Sequence, residues 1–382
     1  MFGKRIKLFK LFGFEVKVDL SWLILAFLVT WSLASALFPY YYKGLSSGAY
    51  WWMGIAGALG LFFSIVFHEL FHSLVARRFG IAMKGITLFV FGGVAEMEDE
   101  PPSARAEFYM SLVGPISSIF LGFFFWGVYA LGTNSGWSMP VTGVFSYLRW
   151  LNWALAGFNL LPAFPLDGGR VLRSALWRWK KNLPWATRIS SQIGKGFGLA
   201  LILLGVISIF RGAFIGGMWW VLIGFFMRSA CQMSYQRILI RQMLEGESVR
   251  DFMKSDPVTV TSSIPISDLV ENYVYKHHFK MYPVVDNGKL KGCISTHEIK
   301  EIPREEWSSQ KVSDVAKPCS HDNSISPEAD ATKALSLMHR NGNSRLMVVD
   351  KDRLVGVVAL KDLLRFLSLK LDLEGEELAR KI

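Results

Sequence analysis

The sequence predicts a polytopic α-helical membrane protein, with about six transmembrane helices and a short membrane-associated β element, joined to a cytosolic α/β module. Three observations predict it. The chain has 382 residues, 51% of them hydrophobic, and that length suggests two or three domains. Apolar residues are unevenly spread: 20–230 holds several long apolar runs, whereas 248–370 reads like an ordinary soluble α/β protein. The formal charge of +11 gathers at the ends of the apolar runs rather than in one tail or patch. That pattern is a topology signal, and no nucleic-acid partner is expected from it.

A span needs about 20 mostly apolar residues. The candidates are 20–38, 51–75, 108–131, 144–166, 197–213 and 214–230. The last two are short and read as a tight hairpin or one re-entrant unit. Basic residues alternate along the loops. Lys4, Arg5, Lys7, Lys10 and Lys17 precede the first span, Lys43 stands alone in 39–50, and Arg77, Arg78, Lys84 and Arg105 fall in 76–107. None falls in 132–143, and seven fall in 170–195. This alternation puts both termini in the cytosol, with the plasma membrane as the expected location. The first apolar run reads as a retained span rather than a cleaved secretory signal. Residues 83–99 are β-branched and aromatic around Gly92-Gly93, which predicts a short β element. Such backbone is tolerated near lipid only where protein buries it or it lines a wet cavity. Cys231, Cys293 and Cys319 lack CxxC spacing and predict neither a disulfide framework nor a thiolate metal site.

The stretch "FHELFH" (67–72) places two imidazoles and a carboxylate at the end of an apolar run. Ionisable groups at membrane depth are expensive and mark function. His68 and His72, at i and i+4, share one helix face and can grip one metal ion. With Glu69 they make the H-E-x-x-H arrangement of zinc hydrolases. No other histidine occurs before His277, and a catalytic zinc takes a third protein ligand. The acidic residues between Leu20 and Ala230 are Glu69, Glu96, Glu98, Asp99, Glu100, Glu107 and Asp167. Asp167, in "FNLLPAFPLDGGR", is the natural third ligand; its alternative role is a helix N-cap. Pro162 and Pro165 break the span before it, and Gly168-Gly169 free the chain after it. Glu69 would take a proton from the attacking water and pass it to the leaving amine. Asn159 would donate to the oxyanion of the tetrahedral intermediate, or else make a helix–helix hydrogen bond.

"HELFH" followed by "NLLPAFPLDGG", with "SLVGPISS" (111–118) and "FGGV" between them, closely resembles the site-2 protease family of intramembrane zinc metalloproteases. The resemblance implies one Zn2+ ion on His68, His72 and Asp167, with Glu69 as acid/base and Asn159 as the family's polar residue before the LDG motif. It implies single-span membrane proteins as substrates, cut within the bilayer. An unwound substrate is expected to pair with the edge of 85–95, so changes at Phe89 or Phe91 should slow cleavage.

Residues 248–306 and 312–370 read as two copies of one β-α-β-β-α unit, with "YPVVDNGKLKGCIS" matching "LMVVDKDRLVGVVA". They resemble a tandem pair of cystathionine-β-synthase-type (CBS) domains, following a protease domain over 1–240. The resemblance implies regulation by adenine nucleotides (ATP, ADP or AMP) and a route to a homodimer. Gly292, Ser295 and Glu298 match the nucleotide-binding run in the first copy. In the second, Gly356 and Asp362 match, but Ala359 lacks the hydroxyl. Two other classes remain as alternatives: a CBS-regulated transporter or channel, and an inactive metal-binding receptor.

Overall fold

The computed structural model of the chain describes residues 5–81, 83–89, 92–97, 100–351 and 353–381. The chain divides into two compact units, Met1–Ile238 and Leu239–Ile382.

The described part of the first unit opens with strands. β1 (Arg5–Leu11) and β2 (Phe14–Asp19) form an antiparallel hairpin. Phe12 and Gly13, both at positive φ, make the two-residue turn whose twist suits such hairpins. β2 pairs in parallel with β3 (Met83–Phe89), which pairs antiparallel with β4 (Gly92–Met97), giving the order β1-β2-β3-β4. The β element is therefore larger than the 83–99 stretch alone suggests. β3 has a neighbour on each side, so among the described residues the open edges belong to β1 and β4. The pairing edge expected within 85–95 falls on β4; Phe91 lies outside the described residues. One face of the sheet, through Phe14, Val16, Val18, Ile86 and Leu88, packs on Val66 and Leu70 of the helix that carries the histidines.

The helices follow. They are α1 (Leu20–Ser32), a π-helical stretch (Leu33–Leu37), α2 (Phe38–Tyr41), α3 (Ser47–Arg78), α4 (Ala104–Asn134), α5 (Met139–Asn159), α6 (Asp167–Lys180), α7 (Leu183–Phe210) and α8 (Phe214–Leu244). Ser46, Ser103 and Asn182 cap α3, α4 and α7 by accepting backbone N–H bonds, which supplies partners the first turn lacks. Among the described residues, five helical stretches are long and apolar enough to cross a membrane: Trp22–Tyr41, Ser47–Arg78, Ala104–Asn134, Leu183–Phe210 and Phe214–Leu244. The expected fourth span becomes α5, which ends at Asn159 rather than 166 and is not among the five. The last two spans are full-length helices, because Arg188 and Lys195 are absorbed into α7 instead of ending it.

Burial is inverted relative to a water-soluble bundle. Ser64, Ser111, Ser117 and Ser118 are buried, while Phe120, Phe123, Phe124 and Phe210 are exposed. Small residues let membrane helices approach closely, and large apolar side chains suit lipid.

The second unit holds two repeats, each with its own core. Its helices are α9 (Ile266–Leu269), α10 (Tyr275–His277), α11 (Thr296–Lys300), α12 (Val312–Val315), α13 (Ala331–Asn341) and α14 (Leu360–Lys381). β5 (Met281–Asp286), β6 (Lys289–Ser295) and β7 (Lys317–Pro318) form one sheet. The other has the order β10-β9-β8, from β8 (Ser324–Ile325), β9 (Arg345–Asp350) and β10 (Arg353–Ala359). Asn287-Gly288, both at positive φ, turn β5 into β6.

Candidate active site

Three donors from two helices meet at one point. His68 and His72 lie one turn apart on α3, and their Nε2 atoms are 3.1 Å from each other. Asp167 Oδ2 lies 3.1 Å from His68 Nε2 and 3.2 Å from His72 Nε2. Donors each about 2.0–2.2 Å from one ion stand roughly 3.2–3.6 Å apart in tetrahedral geometry, so the triangle fits a small divalent cation.

The outer ring nitrogens are also occupied in the way such a cation requires. His72 Nδ1 is 2.6 Å from the Met110 carbonyl, which only accepts, so Nδ1 carries a proton and, in the neutral ring, Nε2 keeps its lone pair. His68 Nδ1 lies 2.9 Å from Ser118 Oγ. Outer partners of this kind set tautomer and ring orientation in metal sites. Both come from α4, and so does Gly114. A Cβ there would stand 2.1 Å from His72 Nε2 and 2.7 Å from His68 Nε2. Only a glycine leaves room for the two rings, which gives the Gly-Pro motif of 111–118 its physical reason.

Asp167 is delivered by a turn. α5 ends at Asn159, residues 160–166 connect it to α6 and contain a cis Phe164–Pro165 bond, and α6 begins at Asp167. Gly168 and Gly169 are helical rather than loose. A Cβ on Gly168 would come 2.2 Å from the Leu160 carbonyl oxygen, and one on Gly169 2.2 Å from Phe164 N. Their role is close packing of α6 on its own entry turn. The Phe164 carbonyl in turn accepts from Cys231 Sγ of α8 at 2.8 Å. Leu166, not Asp167, occupies the N-cap position, and no side-chain cap bond forms there.

Glu69 sits half-buried directly after His68 on α3, and Asn159 is half-buried at the end of α5. Sequence reasoning missed Asn152. It is fully buried and donates to Ser64 Oγ at 3.0 Å, one turn before His68. An amide inside an apolar helix was the available signal. The β1–β2 hairpin was also missed, although "RIKL" and "FEVKV" alternate with period two.

In the second unit the four expected nucleotide residues separate. Glu298 accepts from Ser295 N at 2.8 Å and from Ser295 Oγ, and pairs with Lys317 Nζ at 2.7 Å. Burial pushes the Glu298 carboxyl up, but the bonds from Lys317 and Ser295 outweigh it and hold the group below the usual carboxylate range. Gly292 faces the Lys317 backbone, where a Cβ would be 2.0 Å from the carbonyl oxygen. These three residues are engaged internally. Asp362, in the first turn of α14, instead lines a cavity of about 220 Å3 with Lys254, Phe279, Arg345 and Lys361.

Two imidazoles and a carboxylate converging within an apolar helical bundle define a metal-dependent hydrolase of the membrane. The comparisons with known proteins agree. The family model "Peptidase family M50" matches residues 56–136 and 130–205, and "CBS domain" matches 249–305 and 312–369. "Putative zinc metalloprotease Rip3" of Mycobacterium tuberculosis is 34% identical over 95% of this chain and 93% of that protein. "Putative zinc metalloprotease sll0528" of Synechocystis is 31% identical over 96% of each chain. The solved "Site-2 Protease from Methanocaldococcus jannaschii" is 28% identical over 60% of this chain and 94% of that one, with a TM-score of 0.43. The chain belongs to peptidase family M50: it is an intramembrane zinc metalloprotease of the site-2 type carrying a tandem CBS pair.

Proposed function

We propose that this protein cleaves the transmembrane segments of single-span membrane proteins within the plasma membrane, with both of its own termini in the cytosol. His68, His72 and Asp167 are the residues that would hold zinc. When bound, zinc supplies a Lewis acid that polarises the scissile carbonyl and makes water a nucleophile near neutral pH. Glu69 accepts the proton that the attacking water gives up and returns it to the amine as the C–N bond breaks. Asn159 donates to the carbonyl oxygen as charge builds on it. A substrate must unwind before its carbonyls can be attacked, and the outer edge of β4, one of the two open edges of the sheet among the described residues, is the one within 85–95 that would pair with it.

The CBS pair is the regulatory part. An adenine nucleotide would occupy the Asp362 cavity, with the carboxylate on the ribose, Phe279 beside the base and Lys254, Arg345 and Lys361 toward the phosphates. The volume of about 220 Å3 is below the roughly 300–1,000 Å3 of common ligand pockets, so the phosphates would lie on the cationic rim. The same module offers the contact for a homodimer.

One observation carries the reading: three donor atoms mutually 3.1–3.2 Å apart, each held from behind or by its own turn. The test compares membranes holding the wild-type protein with membranes holding Glu69→Gln. The variant keeps about one zinc per chain while cleavage drops about 10²–10⁴-fold, and single-span proteins accumulate uncut. Purified protein without a transition metal, or unchanged cleavage by Glu69→Gln, sinks the reading.

A further inference from the structure

A buried ion pair crosses between the two helices that complete the metal site. Arg173 of α6 is 1% exposed and Glu107 of α4 is fully buried. Arg173 Nε donates to Glu107 Oε1 at 2.7 Å, its Nη2 donates to the same oxygen, and Nη2 reaches Glu100 Oε2 at 3.2 Å. Glu107 Oε2 and Arg173 Nη1 have no hydrogen-bond partner among the described residues. Burying two charges is costly, and apolar residues of like volume would pack two helices at least as well. Packing alone therefore does not account for the pair.

Its place in the fold does. Glu107 lies one turn before Met110, whose carbonyl holds His72 Nδ1. Arg173 lies six residues after Asp167 on the same helix, and its guanidinium stands 5.3 Å from the Phe164 ring in the turn that delivers Asp167. The pair thus ties the α4 turn that orients His72 to the helix that carries the third donor. What a guanidinium fork on a carboxylate sets, and apolar packing does not, is the rotational setting of one helix against another. A side-chain atom stands about 5–6 Å from its helix axis, so a rotation of roughly 20° moves it about 2 Å. Metal–ligand distances tolerate about 0.2 Å.

We propose that Arg173 and Glu107 are positioning residues that set α6 so that Asp167 Oδ2 meets both imidazoles. The inference rests on the metal-site reading above. The test titrates metal-free full-length protein in detergent with Co2+, following affinity and the visible spectrum, alongside kcat and KM for cleavage. Arg173→Lys keeps the charge but loses the fork, and the double variant Arg173→Met/Glu107→Leu removes the pair without stranding a charge. Both should bind Co2+ about 10- to 100-fold more weakly, with an altered spectrum and a lowered kcat at unchanged KM. Variants that melt earlier yet bind Co2+ with wild-type affinity and spectrum overturn the proposal. Should neither fold, Glu107→Asp, which moves the carboxylate by one methylene, carries the same two outcomes. A wild-type protein that binds no Co2+ overturns the metal-site reading instead, so the two failures are distinguishable.

Discussion

The metal cradle of the first unit and the Glu298 cluster of the second are built from similar parts: a buried carboxylate, a nitrogen partner and a hydroxyl nearby. They differ in where bonding capacity is left over. At Glu298 the Ser295 N–H, the Ser295 hydroxyl and Lys317 are all spent on the same carboxylate, so the cluster is closed and stabilises its own turn. In the cradle, Met110 and Ser118 take the outer ring nitrogens and leave two Nε2 atoms and a carboxylate oxygen aimed at one point. A site is distinguished from a staple by valence that converges without being consumed.

The sharpest way to break this contrast is Gly114→Ala. The added methyl would stand 2.1 Å from His72 Nε2, so one ring must leave. Metal content by atomic absorption should fall to near zero while the helical circular dichroism stays unchanged; retained zinc would mean that the rings do not need that space. Next comes Asn159→Ala. Loss of an oxyanion donor costs about 10²–10³-fold in kcat with zinc intact, and a wild-type kcat would return Asn159 to a helix-packing role.

A smaller effect separates Asp362 from Glu298 in the CBS pair. Asp362→Ala should weaken adenine-nucleotide binding by calorimetry on the intact protein about tenfold, equivalent to about 1.4 kcal/mol. Glu298→Gln should leave it within twofold. Equal losses would show that the closed cluster opens for ligand.

The smallest effect is on stability. Because the folded Glu298 carboxyl titrates below its usual range, its contribution is present above the unfolded value of about 4.3 and is lost as pH falls through the folded value. Glu298→Gln should therefore destabilise the protein by about 1 kcal/mol at pH 7, and the gap to wild type should close on acidification below about pH 4. A gap that widens in acid would contradict the assigned direction.

How much of this was legible in the chain depends on distance along it. His68 and His72 could be paired by helical period alone, because both belong to one turn of one helix. Asp167 could be named by elimination among few acids, but its 3.1 Å approach depends on how residues 160–166 lead into α6, which no periodicity encodes. The Arg173–Glu107 pair, 66 residues apart, was hidden because each residue reads as ordinary loop or span-end charge. Likewise β1 and β2 were masked by lysines that double as topology signals, although their alternation was there to read.

By itself, then, the sequence determined the membrane class, the imidazole pair with its carboxylate neighbour, and the doubled C-terminal module, since each follows from local period or repeat. Only the tertiary structure decided which acid meets the imidazoles, which glycine makes room for them, and which of two similar carboxylates stays open to a ligand. Those outcomes depend on contacts between helices and strands far apart in the chain, where a shift of an ångström separates a ligand from a bystander.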